Sequence, residues 1–92
     1  MILGFRHKGL KRFYEDDDPS RLSADMVERI RGILTVLDQA RELGAVDRPT
    51  LRLHALKGSL KGYYAVTVRS NWRIVFRFDG QDVRDVDFVD YH

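Results

Sequence analysis

Ninety-two residues, 43% hydrophobic and 33% charged, supply one modest core, so the chain is read as a single domain spanning 1–92. It has no cysteine, which removes a disulfide framework and a thiolate metal centre. Its opening residues turn charged at Arg6, too early for a secretory signal, and no apolar run nears the roughly 18 residues of a membrane span, so a cytoplasmic protein is expected.

From the N-terminus, Leu3 and Phe5 mark a short apolar stretch expected to be an edge strand. Leu10, Phe13 and Tyr14 then fall at i, i+3, i+4, the mark of a short amphipathic helix. Its outer side carries Lys8, Lys11 and Arg12, and the run Glu15-Asp16-Asp17-Asp18-Pro19 ends it. His7 reads as a helix-start residue. Ser23 is the expected N-cap of a longer helix, with Asp25 in its first turn. Met26, Val27, Ile30, Ile33, Leu34, Leu37 and Ala40 trace one buried stripe along it. Gly44 is the expected stop.

From Leu51 onward the hydrophobic period becomes two. Leu51, Leu53 and Ala55 alternate with Arg52 and His54. Tyr64, Val66 and Val68 alternate with Ala65, Thr67 and Arg69. Ile74, Phe76 and Phe78 alternate with Arg73, Val75 and Arg77. A hairpin around Ser70-Asn71-Trp72 is expected to pair Val68 with Ile74 and to set Arg69 across from Arg73, a like-charge pair that needs neutralising. A second hairpin around Gly80-Gln81-Asp82 pairs Ile74 with Phe88, sets Arg77 against Asp85, and brings Tyr91 beside Asn71. Placing Leu53 beside Val66 puts His54 on the Thr67 face. The expected fold class is α+β: a short N-terminal strand, two helices, then an antiparallel sheet of about four strands.

Charge is as uneven as hydrophobicity. The net charge is +2, yet Arg48, Arg52, Lys57, Lys61, Arg69, Arg73 and Arg77 lie between Asp47 and Asp79 with no acid among them. The rest of the chain then carries 9 basic minus 14 acidic residues, or −5. Localised positive charge of this kind fits a partner with several phosphates. One sheet face gathers His54, Lys57, Arg69, Arg73 and Tyr91, with Asp90 and His92 at its rim. Guanidinium groups fork onto two phosphate oxygens, an ammonium adds a point charge, and imidazoles exchange protons near neutral pH. These are the parts that RNA cleavage requires: a base for the 2′-OH, cations for the phosphorane, and an acid for the leaving oxygen. Which residue is base and which is acid stays open. No metal or other cofactor is expected, because His54 and His92 lack a close cluster of ligands.

Three segments carry a resemblance to a known family. They are Leu53-His54-Ala55-Leu56-Lys57-Gly58, the run from Gly62 to Ile74 containing Val68-Arg69-Ser70-Asn71-Trp72-Arg73, and the terminal Asp90-Tyr91-His92. Together they resemble the HigB toxins of the RelE/ParE superfamily, across essentially the whole chain. The resemblance implies a metal-independent endoribonuclease that cuts mRNA in the ribosomal A site and leaves a 2′,3′-cyclic phosphate and a 5′-hydroxyl. It assigns the catalytic positions to His54, Lys57, Arg69, Arg73, Asp90, Tyr91 and His92. Asn71 becomes an mRNA or loop-ordering contact, and Arg6, Lys8, Lys11 and Arg12 become contacts to ribosomal RNA. The implied partners are the ribosome, mRNA and a HigA-like helix-turn-helix antitoxin, with the toxin monomeric outside the antitoxin complex. Two rivals stand beside this reading. One is a ParE-like inhibitor of DNA gyrase; the other is a non-catalytic RNA-binding module, which would need exposed aromatic rings where the sheet offers only Trp72.

Overall fold

The computed structural model describes residues 1–91, so His92 and its expected role lie outside the described residues. Helix α1 spans Lys8–Asp16. Its first turn is closed by His7, whose Nδ1 accepts the Leu10 N–H at 3.1 Å. At the other end Asp17 takes a left-handed conformation, and its N–H returns to the Phe13 carbonyl at 3.0 Å. Aspartate tolerates that conformation better than most residues. Leu10 and Phe13 are buried, while Lys8, Lys11 and Arg12 face solvent.

Helix α2 spans Val27–Gln39 and is entered through a 3₁₀ turn at Ala24–Met26. Ser23 does precede that turn, but its hydroxyl donates to the Asp25 carboxylate at 2.9 Å instead of capping the backbone. Ile30, Ile33, Leu34 and Leu37 are buried as the periodicity requires. The expected stop at Gly44 is corrected: Ala40 is buried and already extended, so the helix ends there and Gly44 falls inside a later 3₁₀ turn, Leu43–Ala45.

The sheet is antiparallel, in the order β1 (His54–Ala55), β2 (Tyr63–Arg69), β3 (Trp72–Asp79) and β4 (Asp82–Asp90). The N-terminal strand is present as two parallel bridges to β4, Ile2 to Val83 and Phe5 to Val86. Ile2 is buried and Leu3 is exposed. The three-residue spacing of Ile2 and Phe5 matches that of Val83 and Val86, both of which reach the core because a bulge at Asp85, with φ of 55°, resets the alternation of β4. Val66, Val68, Ile74 and Phe76 meet the buried stripes of both helices on one side of the sheet. Each such side chain contributes roughly 1.5–3 kcal/mol through removal from water.

The length of one strand and the register of one hairpin are corrected. Strand β1 is only two residues long, although His54 opposite Ala65 preserves the expected alignment with β2. Leu51 is buried in a turn whose Arg48 carbonyl accepts the N–H groups of both Leu51 and Arg52, and Arg52 itself is left-handed at φ 53°. In the β2–β3 hairpin the turn is the two residues Ser70-Asn71. Val66, not Val68, opposes Ile74, and Arg73 opposes Thr67. The pairing differs from the expected one by two residues, which keeps every side chain on its expected face up to Thr67.

Candidate active site

A bulge between Thr67 and Arg69 decides the composition of the site. It places Arg69 opposite Trp72, a residue whose ring belongs to the helix side and stacks on Phe88 at 4.7 Å. Arg69 accordingly forms an ion pair with Asp25, at the entrance to α2. The Ser23 hydroxyl, and then the Arg69 guanidinium, hold the Asp25 carboxyl below the usual carboxylate range. The expected repulsion between Arg69 and Arg73 is therefore absent, neutralised by an acid 44 residues away in sequence that strand reading had no means of finding.

On the opposite face a cleft of about 270 Å³ is lined by Arg52, His54, Ala65, Thr67, Arg73 and Tyr91. Three of the expected site residues, His54, Arg73 and Tyr91, thus converge. Ala65 and Val75 are buried but stand outside the helix-side core, as the small apolar floor of this face. Arg73 is oriented by its own hairpin: Nη1 donates to the Ser70 carbonyl at 2.5 Å and to the Trp72 carbonyl at 3.1 Å. Tyr91 is tied down by its N–H, which donates to the Asn71 carbonyl at 2.7 Å. Asn71 thereby orders the chain end through its backbone. The Tyr91 ring is 40% exposed, open to a ligand.

The remaining expected residues are placed differently. Lys57 is exposed in the loop after β1 and does not line the cleft. Asp90 opposes Trp72, one residue out of phase with Tyr91. Arg77 makes the expected ion pair with Asp85, Nε to Oδ2 at 2.9 Å, although the bulge sets it opposite Arg84 and not opposite Asp85. Arg6, Lys8, Lys11 and Arg12 are exposed at and before α1, with Arg12 3.7 Å from Asp18. Trp72, stacked and half-buried, is not an exposed platform for a base, which weakens the non-catalytic RNA-binding alternative.

Two residues in or behind the cleft had been passed over. Arg52 shares strand parity with His54, so its position was legible. Arg29 lies on α2 between Met26 and Ile33, where an apolar residue would fit the stripe. Its guanidinium donates to the carbonyls of Thr50 at 2.5 Å, Thr67 at 3.0 Å and Val68 at 3.3 Å. That fork ties the segment preceding β1 to the bulge of β2, and so spaces the two walls of the cleft. A larger cleft, about 300 Å³, lies between the helices and includes Asp17 and Asp38, whose charge is unsuited to a phosphate. Among the described residues no three His, Cys, Asp or Glu side chains gather closely enough to hold a metal ion.

A family model for the RelE-like toxin HigB of type II toxin–antitoxin systems matches residues 3–92. The chain belongs to the HigB toxins. Its relatives include the Endoribonuclease HigB of Proteus vulgaris, 44% identical over 92 residues that cover all of both chains. They also include Toxin HigB-1 of Vibrio cholerae serotype O1 (strain ATCC 39315 / El Tor Inaba N16961), 35% identical over 80 residues covering 85% of this chain and 84% of the relative. The fold of this HigB-family toxin is shared with YoeB in the YoeB–YefM complex of Staphylococcus aureus. There the TM-score is 0.66 at 20% identity, covering all of this chain and 95% of that one. The YoeB dimer of the same organism gives 0.63, covering 99% and 94%. Membership places the chain in a toxin–antitoxin pair, with an antitoxin as its partner. No helix among the described residues is long and apolar enough to cross a membrane.

Proposed function

We propose that this HigB-family toxin is a ribosome-dependent endoribonuclease that cuts mRNA in the A site and so arrests translation. The observation that carries the reading is the convergence of a guanidinium, an imidazole and a phenol, from Arg73, His54 and Tyr91, over a small-residue floor on the open face of the sheet. Supporting it are the family of the chain and the activity in the name of its Proteus vulgaris relative.

The chemistry needs no group beyond side chains. A base removes the proton of a ribose 2′-OH, and the resulting oxygen attacks the adjacent phosphorus. The bond to the 5′ oxygen breaks as an acid returns a proton to it, leaving a 2′,3′-cyclic phosphate and a 5′-hydroxyl. Arg73 stabilises the charge that accumulates on the nonbridging oxygens. His54 and Tyr91 are the proton-transfer groups within the cleft. The resemblance to the HigB toxins adds Lys57, Asp90 and His92 to this set, and Arg69 supports the hairpin from the other face. Asn71, exposed at the hairpin tip, is within the path of a bound strand. Arg6, Lys8, Lys11 and Arg12 supply a separate basic face for ribosomal RNA. The antitoxin is of the HigA-like helix-turn-helix kind, and the pair acts in the cytoplasm.

The deciding experiment is primer extension on a defined mRNA in a purified translation system, with and without ribosomes, using the unmodified toxin and Arg73→Ala. Cuts within codons that require ribosomes and vanish in the variant are expected. Growth arrest in cells with no cut in the message would instead favour a gyrase-type target and make the basic face a docking surface.

A further inference from the structure

The cleft contains two arginines, and only one of them has been given a role. Arg52 lines the same wall as His54, across from Arg73 and Tyr91. Among the described residues its guanidinium makes no ion pair and no hydrogen bond, whereas the guanidiniums of Arg69 and Arg77 are held by Asp25 and Asp85. Its backbone is well anchored on both sides. Leu51 is buried and its carbonyl accepts the Thr67 N–H at 2.8 Å, while His54 is paired with Ala65. The left-handed Arg52 is the hinge between these two fixed points.

From this geometry we infer that Arg52 is the second phosphate-binding guanidinium of the cleft, acting with Arg73 on the scissile phosphate in the position that strand reading had given to Arg69. Two guanidiniums converging from β3 and from the segment before β1 bracket a phosphate, which a single fork cannot do. Among the described residues neither guanidinium forms a salt bridge to a carboxylate. Both are drawn toward the nonbridging oxygens as charge builds there, so the contribution of Arg52 is larger in the transition state than in the ground state. The inference rests on the cleft being the site of RNA cleavage.

Its test uses the conformation of Arg52 itself. Glycine adopts a φ of 53° without strain, so Arg52→Gly deletes the guanidinium while leaving the backbone at ease. Single-turnover cleavage of mRNA on programmed ribosomes, at saturating toxin, is compared for the unmodified protein, Arg52→Gly, Arg52→Lys, Arg73→Ala and the charge control Arg84→Ala. Arg52→Gly is expected to unfold at or above the temperature of the unmodified protein yet to cut about a hundredfold more slowly, on the scale of losing one charge-stabilising donor. Arg52→Lys restores charge without the fork and is expected to recover about tenfold. Arg84→Ala is expected to cut normally. Normal cutting by Arg52→Gly with Arg73→Ala inactive overturns the inference and leaves the cleft assignment standing. Normal cutting by both overturns the assignment itself. Should Arg52→Gly fold poorly, Arg52→Lys at full unmodified rate would overturn the guanidinium role.

Discussion

At the scale of single residues, the partner of each arginine decides what that arginine does. Arg52, Arg69, Arg73 and Arg77 lie along β2, β3 and the segment before β1, and in sequence they look equivalent. In the fold Arg77 goes to Asp85 and Arg69 to Asp25, leaving Arg73 and Arg52 in the cleft. The Arg69 pair is open to a pH test. Because folding lowers the Asp25 carboxyl below its ordinary value, the stability this pair contributes is present above about pH 4. It disappears as pH falls through the lowered folded-state value. Arg69→Ala is therefore expected to unfold at a lower urea concentration at pH 7, with the difference closing at pH values below the carboxylate range. An equal difference at both pH values would show that Arg69 acts through packing. Arg73→Ala has a different expected cost. Its loss removes two hydrogen bonds to turn carbonyls and relieves no repulsion, so urea denaturation should show a destabilisation of about 0.5–1.5 kcal/mol, with cleavage abolished.

At the scale of elements, helix ends and bulges account for most of the differences between pattern and structure. The apolar stripe of α2 was readable because 3.6-residue periodicity is a property of the helix alone. Its end was not, because Ala40 turns to an extended conformation before the glycine is reached, against its own high helix propensity. Helix α1 begins at a cap supplied by an imidazole, outside the usual set of Ser, Thr, Asp and Asn. The His7 ring also stands edge-on to Phe88 at 5.7 Å, so it joins α1 to β4. His7→Ala is expected to cost about 1–2 kcal/mol for the cap and more for the lost ring contact, measured as a shift in the urea midpoint. His7→Asn should recover the cap portion only, and full recovery by asparagine would assign the whole effect to capping. In the sheet, the bulges at Val68 and Asp85 each shift alternation by one residue. The first sends Arg69 to the helix side. The second brings both Val83 and Val86 into the core.

At the scale of the whole molecule, a single core on one side of a four-stranded sheet supports a site on the other. Phe76 is fully buried at the centre of that core, with Tyr64 and Phe78 rings against it at 6.0 and 6.1 Å. Phe76→Ala is expected to cost about 3–5 kcal/mol, a large share of the roughly 5–15 kcal/mol that holds a domain together. Cleavage should be lost in parallel with the folded fraction seen by circular dichroism; a stably folded but inactive variant would show that core and cleft are coupled directly. The α+β class, both helical stripes, the two hairpins and the face on which His54, Arg73 and Tyr91 meet were all determined by the sequence itself, because helical and strand periodicities are local and a register error of two leaves each face intact. Only the tertiary structure decided that Arg69 turns to Asp25 and that Arg29 spaces the walls. Bulges and long-range ion pairs depend on which distant groups arrive beside a strand, and nothing in the local pattern of residues carries that information.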